Sequence, residues 1–292
     1  MTTVHVDTTG NVSSQERERR TVAAARLERA RARRLKRRDL ILAAATPLVL
    51  LLAWEVSARA SLIDTRLFPP PTQILAKGVE MVSSGQLLDD LGATVVRLLI
   101  GLVVGSVVGI VVGLAMGASR ALNAALGPTF TALYALPKIA ILPLLLLIFG
   151  LTETPKILAV IISVFFVMQI NTVAGVRQIE PKVLEAARAY GATGLKRFRY
   201  IILPGALPFV FSGLRVSAGM AVIVVTAVEF VASNTGLGYL IWNSWQLFQP
   251  QQMYVGLIAV SLLGAAMTGV IVLAEKLSLP WKRGSSVKKR KG

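Results

Sequence analysis

Long apolar segments recur along the 292-residue chain, with short polar segments between them. An α-helix needs about 20 apolar residues to cross the roughly 30 Å hydrocarbon core of a bilayer. Six segments reach about that length, and they cover residues 40–58, 91–117, 128–150, 157–173, 208–231 and 253–273. The pattern therefore predicts an all-α, polytopic membrane protein with six transmembrane helices.

Five glycines recur at every fourth position of the second apolar segment: Gly101, Gly105, Gly109, Gly113 and Gly117. Four-residue spacing places all of them on one helix face, where a neighbouring backbone can approach closely. We favour a static packing interface over a sliding contact between moving helices. Both interpretations require a helical partner for this face.

The third apolar segment is interrupted by Pro137 and Pro143, with Lys138 between them. A proline kinks a helix, and such breaks persist in membranes where the freed backbone groups line a cavity or meet protein. A cation within a span is a candidate functional residue. Alternatively, Lys138 extends to the interface or pairs with a carboxylate such as Glu229.

A polar helical hairpin is predicted over residues 181–204, between the fourth and fifth spans. Pro181 suits a first helical position, and Gly191 suits a left-handed stop at the end of that helix. We expect Thr193 to cap a second short helix and Pro204 to end it. Residues 177–199 hold six basic and two acidic side chains, so the hairpin is expected outside the membrane.

The chain is 54% hydrophobic, with a mean hydropathy of +0.65 and a net charge of +17. Its basic residues are concentrated in residues 1–40 and 275–292, which flank spans, and lysine and arginine mark the cytoplasmic side of a membrane. We therefore expect both termini in the cytoplasm, a bacterial plasma membrane location and no nucleic-acid partner. The predicted domains are a basic tail (1–39), a transmembrane domain (40–276) and a second basic tail (277–292). The first tail either lies on lipid headgroups or only fixes orientation.

Side chains suited to catalysis are scarce. The chain has no cysteine, and its one histidine, His5, lies in the first tail. The segment 191–197 is too short for the G-x-x-x-x-G-K-[ST] phosphate loop and lacks its Ser or Thr. We therefore expect a non-catalytic subunit with no metal site and no directly bound cofactor.

The hairpin carries a specific motif: Glu185, Ala186 and Ala187, then Gly191, then Ile201, Leu203 and Pro204. This spacing resembles the motif of binding-protein-dependent ABC importer permeases. The resemblance implies a type I importer permease fold, in which these residues form a coupling helix that binds a separate ATPase. An amphipathic connector without a partner and a DNA-binding helix–turn–helix are the weaker alternatives.

Two further segments resemble this family. Residues 68–71, followed by an amphipathic stretch, are similar to the nitrate, sulfonate and taurine branch, while Gly236 and Gly238 are similar to a loop at the outer gate. The resemblance implies four partners. They are a cytoplasmic ABC ATPase dimer that uses the ATP, a second permease subunit that forms a homodimer with this chain, an extracytoplasmic solute-binding protein and membrane lipid. The candidate pathway or gate residues are Pro137, Lys138, Pro143, Glu229, Gly236 and Gly238.

The hypothesis is therefore a permease subunit for a small anion of the sulfonate, taurine or nitrate type. A permease of the same branch for a thiamine precursor or riboflavin-like compound is the alternative. An ion-driven secondary transporter is disfavoured, because only Lys138 is expected as a charged residue well inside a span and no inverted repeat is visible. A membrane-anchored nucleic-acid or lipid scaffold would leave the hairpin motif unused.

Overall fold

The computed structural model describes residues 34–280, except residues 36, 37, 40 and 44. The predictions for residues 1–33 and 281–292 lie outside this part of the chain. The described residues divide into two compact units at Pro71. In the first unit, helix α1 (Ile41–Arg59) is the first candidate span. It ends in a turn where Ala60 N donates to Val56 O.

The second unit is helical, with no strand among its described residues. Its α-helices are α2 (Pro71–Ser83), α3 (Gln86–Ala118), α4 (Arg120–Ala135), α5 (Leu142–Phe149), α6 (Glu153–Arg177), α7 (Pro181–Ala189), α8 (Gly194–Arg197), α9 (Leu203–Ala232), α10 (Leu237–Gln246) and α11 (Pro250–Ser278). A 3₁₀ turn (Lys138–Ile141) precedes α5 and a π-helical turn (Phe198–Ile202) precedes α9. The predicted all-α fold is confirmed.

Five helices within the described residues are long and apolar enough to cross a membrane, and one bent pair makes a sixth candidate. The pair consists of residues 120–135 and 138–149, which meet at 91°. The predicted interruption of the third span is therefore present at Pro137. The helix begins before the predicted start of that span at residue 128, because α4 begins at Arg120 and contains Pro128. Ser119 caps this earlier start by accepting from Leu122 N at 3.2 Å.

The five glycines at every fourth position of α3, which we call the glycine ladder, pack α3 against α6, as their spacing predicts. A Cβ atom at Gly105 would lie 2.7 Å from Ile161 O, and one at Gly109 would lie 2.8 Å from Phe165 O. At Gly113 it would lie 2.8 Å from Gln169 O. These distances are too short for a side chain, so glycine lets α6 pass close to the α3 backbone.

The predicted helix end at Pro204 was wrong. The chain stays helical from Gly194 to Ala232, and Pro204 lies in the first turn of α9. The π-helical turn just before it has already shifted the backbone hydrogen-bond register, so the missing N–H of proline interrupts no regular ladder. The second helix of the hairpin and the following span therefore form one continuous helical segment.

Candidate functional site

The turn of the hairpin is a Schellman motif built around Gly191. Gly191 has φ +74°, its N–H donates to Arg188 O at 3.0 Å, and the N–H of Ala192 donates to Ala187 O at 2.8 Å. This pair of bonds satisfies the last carbonyls of α7 and needs a left-handed residue between them. The left-handed stop predicted for Gly191 is confirmed. Thr193 precedes α8 as predicted, but its side chain makes no capping hydrogen bond.

The hairpin exposes large apolar side chains beyond the bundle. Tyr190 is 92% exposed, Leu195 is 78% exposed and Tyr200 is 70% exposed. Glu185 is also exposed, and no ion-pair partner for it lies in the described part of the chain. Aromatic and aliphatic groups held on rigid, charged helices are typical of a protein-binding surface.

The seven motif residues fall into an exposed and a packed group. Glu185, Ala186 and Gly191 are exposed, whereas Ala187 is buried. Three residues at the base of the hairpin are half-buried: Ile201 in the π-helical turn, and Leu203 and Pro204 at the start of α9. Glu185, Ala186 and Gly191 are therefore the most accessible residues of the motif.

The base of the hairpin is packed into the bundle. Ile202 and Ala206 form a buried apolar cluster with Leu114 of α3 and Val176 of α6. A displacement of the hairpin therefore acts on three long helices through close-packed contacts, because packed interiors transmit strain.

At the opposite end of the bundle, a buried polar network joins α3, α9 and the segment after α9; we call it the distal cluster. Arg97 Nη1 donates to Glu229 Oε1 at 2.7 Å, and Thr94 Oγ1 donates to Glu229 Oε2 at 2.9 Å. Gly238 N also donates to Glu229 Oε2, at 2.9 Å. Arg97 is 3% exposed and Glu229 is fully buried. Hydrogen bonds from several donors help to offset the cost of burying a carboxylate.

The distal cluster extends to α6 through Glu153 and Lys156. Glu153 Oε2 accepts from Arg97 Nε at 2.5 Å, and Glu153 Oε1 accepts from Lys156 Nζ at 2.7 Å. Arg97 Nη1 further donates to Thr235 O at 2.8 Å. Two cations and two carboxylates thus bind one another, and three helices and the segment before α10 meet at Arg97.

Gly236, just before α10, and Gly238, in the first turn of α10, rest directly on this cluster. A Cβ atom at Gly236, where φ is +111°, would lie 2.5 Å from the Glu229 carboxyl carbon. At Gly238 it would lie 2.4 Å from Thr226 O. The amides of Gly236 and Leu237 donate to Asp90 Oδ1 and Thr94 Oγ1, each at 2.8 Å. The structure therefore brings Glu229, Gly236 and Gly238 together.

The broken span is not part of this cluster, and the suggested Lys138–Glu229 pair was wrong. Lys138 Nζ donates to Tyr134 O and lies 4.5 Å from the Tyr134 ring centroid. Glu229 is already fully bonded to Arg97, Thr94 and Gly238. Pro137 and Pro143 flank the 3₁₀ turn, with Pro143 in the first turn of α5.

Sequence reasoning missed Arg97, Thr94, Glu153 and Lys156. The expectation that Lys138 is the one charged residue inside a span was wrong, because Arg97 lies within α3 and is buried. A signal was present: Thr94 and Arg97 are one helical turn apart in an apolar stretch, so they share a face. Their partners lie in other helices, which no local pattern indicates.

Residues suited to metal binding do not cluster in the part of the chain that the structure describes. No group of three or more His, Asp or Glu side chains there could hold a metal ion. The carboxylates of the distal cluster are bonded to cations and to backbone amides instead. The carboxylates of the cluster therefore join helices through ion pairs and hydrogen bonds.

Comparisons with known proteins give one family. Residues 92–279 match the family described as binding-protein-dependent transport system inner membrane component. The chain is 34% identical over 235 residues to SsuC of Escherichia coli, provisionally named an aliphatic sulfonates transport permease protein; the match covers 80% of this chain and 89% of SsuC. It is 30% identical over 265 residues to the taurine transport system permease protein TauC of the same organism, covering 87% and 96%.

Another relative is named for a different solute. The riboflavin transport system permease protein RibX of Chloroflexus aurantiacus is 35% identical over 237 residues, with coverage of 81% of this chain and 88% of RibX. Among solved structures, a chain of a bacterial alginate ABC transporter is similar with a TM-score of 0.56 at 14% identity, covering 85% of this chain and 96% of that chain. At that identity the likeness supports the fold alone.

Proposed function

The chain belongs to the binding-protein-dependent transport system inner membrane components, a family of ABC importer permeases, and we propose that it forms the path by which such an importer carries a small organic anion of the sulfonate type. The similarity to SsuC over 80% of this chain carries the choice of substrate. The similarity to TauC favours the same chemistry, because taurine is an aminosulfonate.

The proposed partners follow from the hairpin. A cytoplasmic ABC ATPase dimer binds the surface formed by Glu185, Tyr190 and Leu195, which is exposed and rigidly held by the Gly191 turn. The ATPase supplies the energy, and this chain binds no nucleotide itself. A second copy of the permease completes the path, and an extracytoplasmic solute-binding protein delivers the anion.

The proposed orientation places the hairpin and both basic tails in the cytoplasm, since lysine and arginine accumulate on that side. The distal cluster then lies at the extracytoplasmic end, and the segment containing Gly236 and Gly238 belongs to the outer gate. Arg97 and Glu229 tie this segment to the same three helices that the hairpin contacts at its base. ATP binding can shift the path between two packings if the ATPase binds the hairpin more tightly in one of them.

Transport of a riboflavin-like compound is the second candidate. The 35% identity to RibX is as high as the identity to SsuC, and the matched lengths are almost equal. The two candidates differ in the chemistry of the solute, because riboflavin has a large aromatic ring system whereas a sulfonate has a compact oxyanion.

Uptake by the complete complex separates these candidates. The permease, its partner ATPase and its solute-binding protein would be reconstituted in proteoliposomes and supplied with ATP and labelled taurine, hexanesulfonate or riboflavin. We expect ATP-dependent uptake of a sulfonate and none of riboflavin. Uptake of riboflavin alone would replace the proposal by the second candidate. Uptake without the ATPase would refute the importer mechanism itself.

A further inference from the structure

An ion pair joins α9 to α11 in the half of the bundle that carries the hairpin. Arg215 Nη2 of α9 donates to Glu275 Oε2 of α11, although the two residues are 60 positions apart in the chain. Arg215 lies within the fifth apolar segment, which covers residues 208–231. Neither the distal cluster nor the exposed surface of the hairpin contains this pair, so neither accounts for it.

Helix contacts place the backbone of Arg215 well inside the membrane-spanning region. Gly213, two residues earlier on α9, packs on α6, where a Cβ atom added to it would lie 3.3 Å from Met168 Sδ. Met168 packs in turn on α3, because a Cβ atom at Gly109 would lie 2.7 Å from Met168 Cβ. Gly109 precedes the end of α3 at Ala118 by about 13 Å along the helix axis. Such a depth is well inside a hydrocarbon core of roughly 30 Å.

The arginine side of this pair is open, whereas the glutamate side is packed. The Arg215 side chain is 44% exposed and the Glu275 side chain is 14% exposed. One helical turn away on either side of Arg215 lie Ser212 and Gly219, which are both small and both exposed. A Cβ atom at Gly219 would have no atom of the described residues within 4 Å. The guanidinium therefore lies on an open face of α9.

A charged side chain at this depth is costly in lipid, so such residues face the interior of a bundle or a water-filled cavity. Arg215 does not face the interior of this bundle. We therefore assign its face of α9 to the aqueous path that the chain encloses together with its second copy.

Most of the hydrogen-bonding capacity of Arg215 is unused. A guanidinium has five N–H donors. Among the described residues, Arg215 makes one hydrogen bond, from Nη2 to Glu275. Its other donors remain available to the oxygens of a second anion, and the planar guanidinium binds oxyanions in a bidentate manner. Arg97, by contrast, is 3% exposed and is already bonded to Glu153 and Glu229.

We propose that Arg215 binds the sulfonate group of the transported anion inside the path, and that Glu275 occupies the same guanidinium when no anion is bound. Competition from a carboxylate fixed on α11 keeps the site weak enough to release the anion, as passage through a membrane requires. The inference rests on the proposed function and names the residue that recognises the charge of the solute.

Two variants that break the same ion pair separate this role from a structural one. The permease would be placed with its partner ATPase in phosphatidylcholine nanodiscs, and hexanesulfonate binding measured by equilibrium dialysis without nucleotide. Arg215→Gln removes the cation and should weaken binding about tenfold or more. Glu275→Gln removes the competing carboxylate and should strengthen binding about two- to fivefold. The double variant should bind as weakly as Arg215→Gln, because no cation remains.

The matched controls are Arg120→Gln and Glu80→Gln, which remove exposed charges at the start of α4 and on α2. Their affinities should stay within about twofold of the parent. Equal weakening by Arg215→Gln and Glu275→Gln would make the pair a structural link and overturn the proposal. Unchanged binding by Arg215→Gln would overturn it as well, provided that each variant elutes as one species on size exclusion.

Anionic lipid offers the same chemistry from another source. The titration would be repeated in nanodiscs that contain phosphatidylglycerol. An unchanged affinity supports a site for the soluble anion, whereas loss of binding assigns Arg215 to a lipid headgroup and overturns the proposal.

Uptake by the complete complex in proteoliposomes distinguishes failure of the site from failure of the proposed function. Import of a sulfonate that is equally fast in Arg215→Gln and in the parent would refute the site and leave the proposed function standing. Binding of hexanesulfonate that depends on Arg215, in a complex that imports only riboflavin, would support the site and refute the proposed function.

Discussion

Arg97 Nη1 of α3 lies 2.7 Å from Glu229 Oε1 of α9, although the two residues are 132 positions apart in the chain. Both side chains are buried, and Thr94, Gly238, Glu153 and Thr235 complete their hydrogen bonds. A buried ion pair does not by itself make a protein stable, because desolvation offsets much of the attraction. Loss of one partner is nevertheless costly, since the other charge remains buried.

Arg97→Leu should therefore lower the free energy of unfolding by about 3–5 kcal/mol. The double variant Arg97→Leu/Glu229→Leu should be more stable than Arg97→Leu, because no carboxylate is then left without its cation. Both would be measured by denaturant titration of the detergent-solubilised chain. The control is Glu80→Gln, whose side chain is 66% exposed and among the described residues pairs only with Lys77 on α2, and it should change stability by at most about 1 kcal/mol. Equal losses for Arg97→Leu and Glu80→Gln would contradict a buried, dominant Arg97–Glu229 pair.

One glycine of the ladder and one glycine outside it form a matched pair for substitution. A Cβ atom at Gly113 would lie 2.6 Å from Thr172 Cβ, whereas one at Gly219 of α9 has no atom within 4 Å. Gly113→Ala should separate α3 from α6 and destabilise the protein by about 1–3 kcal/mol. Gly219→Ala should be neutral or stabilise it by up to about 1 kcal/mol, because alanine favours the helix. If thermal melts show the same shift for both variants, the α3–α6 contact is not as close as described.

Gly191→Val should uncouple ATP hydrolysis from uptake in vesicles that contain the ATPase. The position has open space around it, so the effect comes from the backbone alone: a left-handed φ costs a bulky residue about 1–3 kcal/mol. Gly191→Asn is the control, because asparagine tolerates this conformation. We expect uptake to fall at least about tenfold in the valine variant, while the asparagine variant retains most of it. Normal transport by Gly191→Val would show that the turn does not transmit the motion.

Substitutions of Lys138 test whether this residue acts in the transport pathway or only in the structure. It has no carboxylate partner in the described part of the chain, so Lys138→Met should change stability by no more than about 1 kcal/mol, the value of its contact with the Tyr134 ring. If the cation faces the path of an anion, uptake should fall while the melting temperature remains unchanged. Lys138→Arg, which keeps the charge, should transport. Unchanged uptake by Lys138→Met would remove Lys138 from the pathway.

Local features of the fold were predictable because their causes are local. The left-handed turn at Gly191 follows from a glycine at the end of a helix that begins at Pro181. The close face of α3 follows from four-residue spacing, since the helical repeat places those glycines together whatever lies opposite. The break at Pro137 follows from the missing amide of proline. The prediction for Pro204 was wrong because the same missing amide is harmless when a π-helical turn precedes it.

The sequence by itself determined the number of apolar segments, the hairpin between two of them and the family motif it carries, because these depend on spacing within one stretch of chain. Only the tertiary structure decided that Glu229 pairs with Arg97 rather than with Lys138. The same is true of the pair that Arg215 forms with Glu275. Such pairings depend on how helices rotate and pack against one another. That rotation is set by contacts of the whole bundle, and no local pattern encodes it.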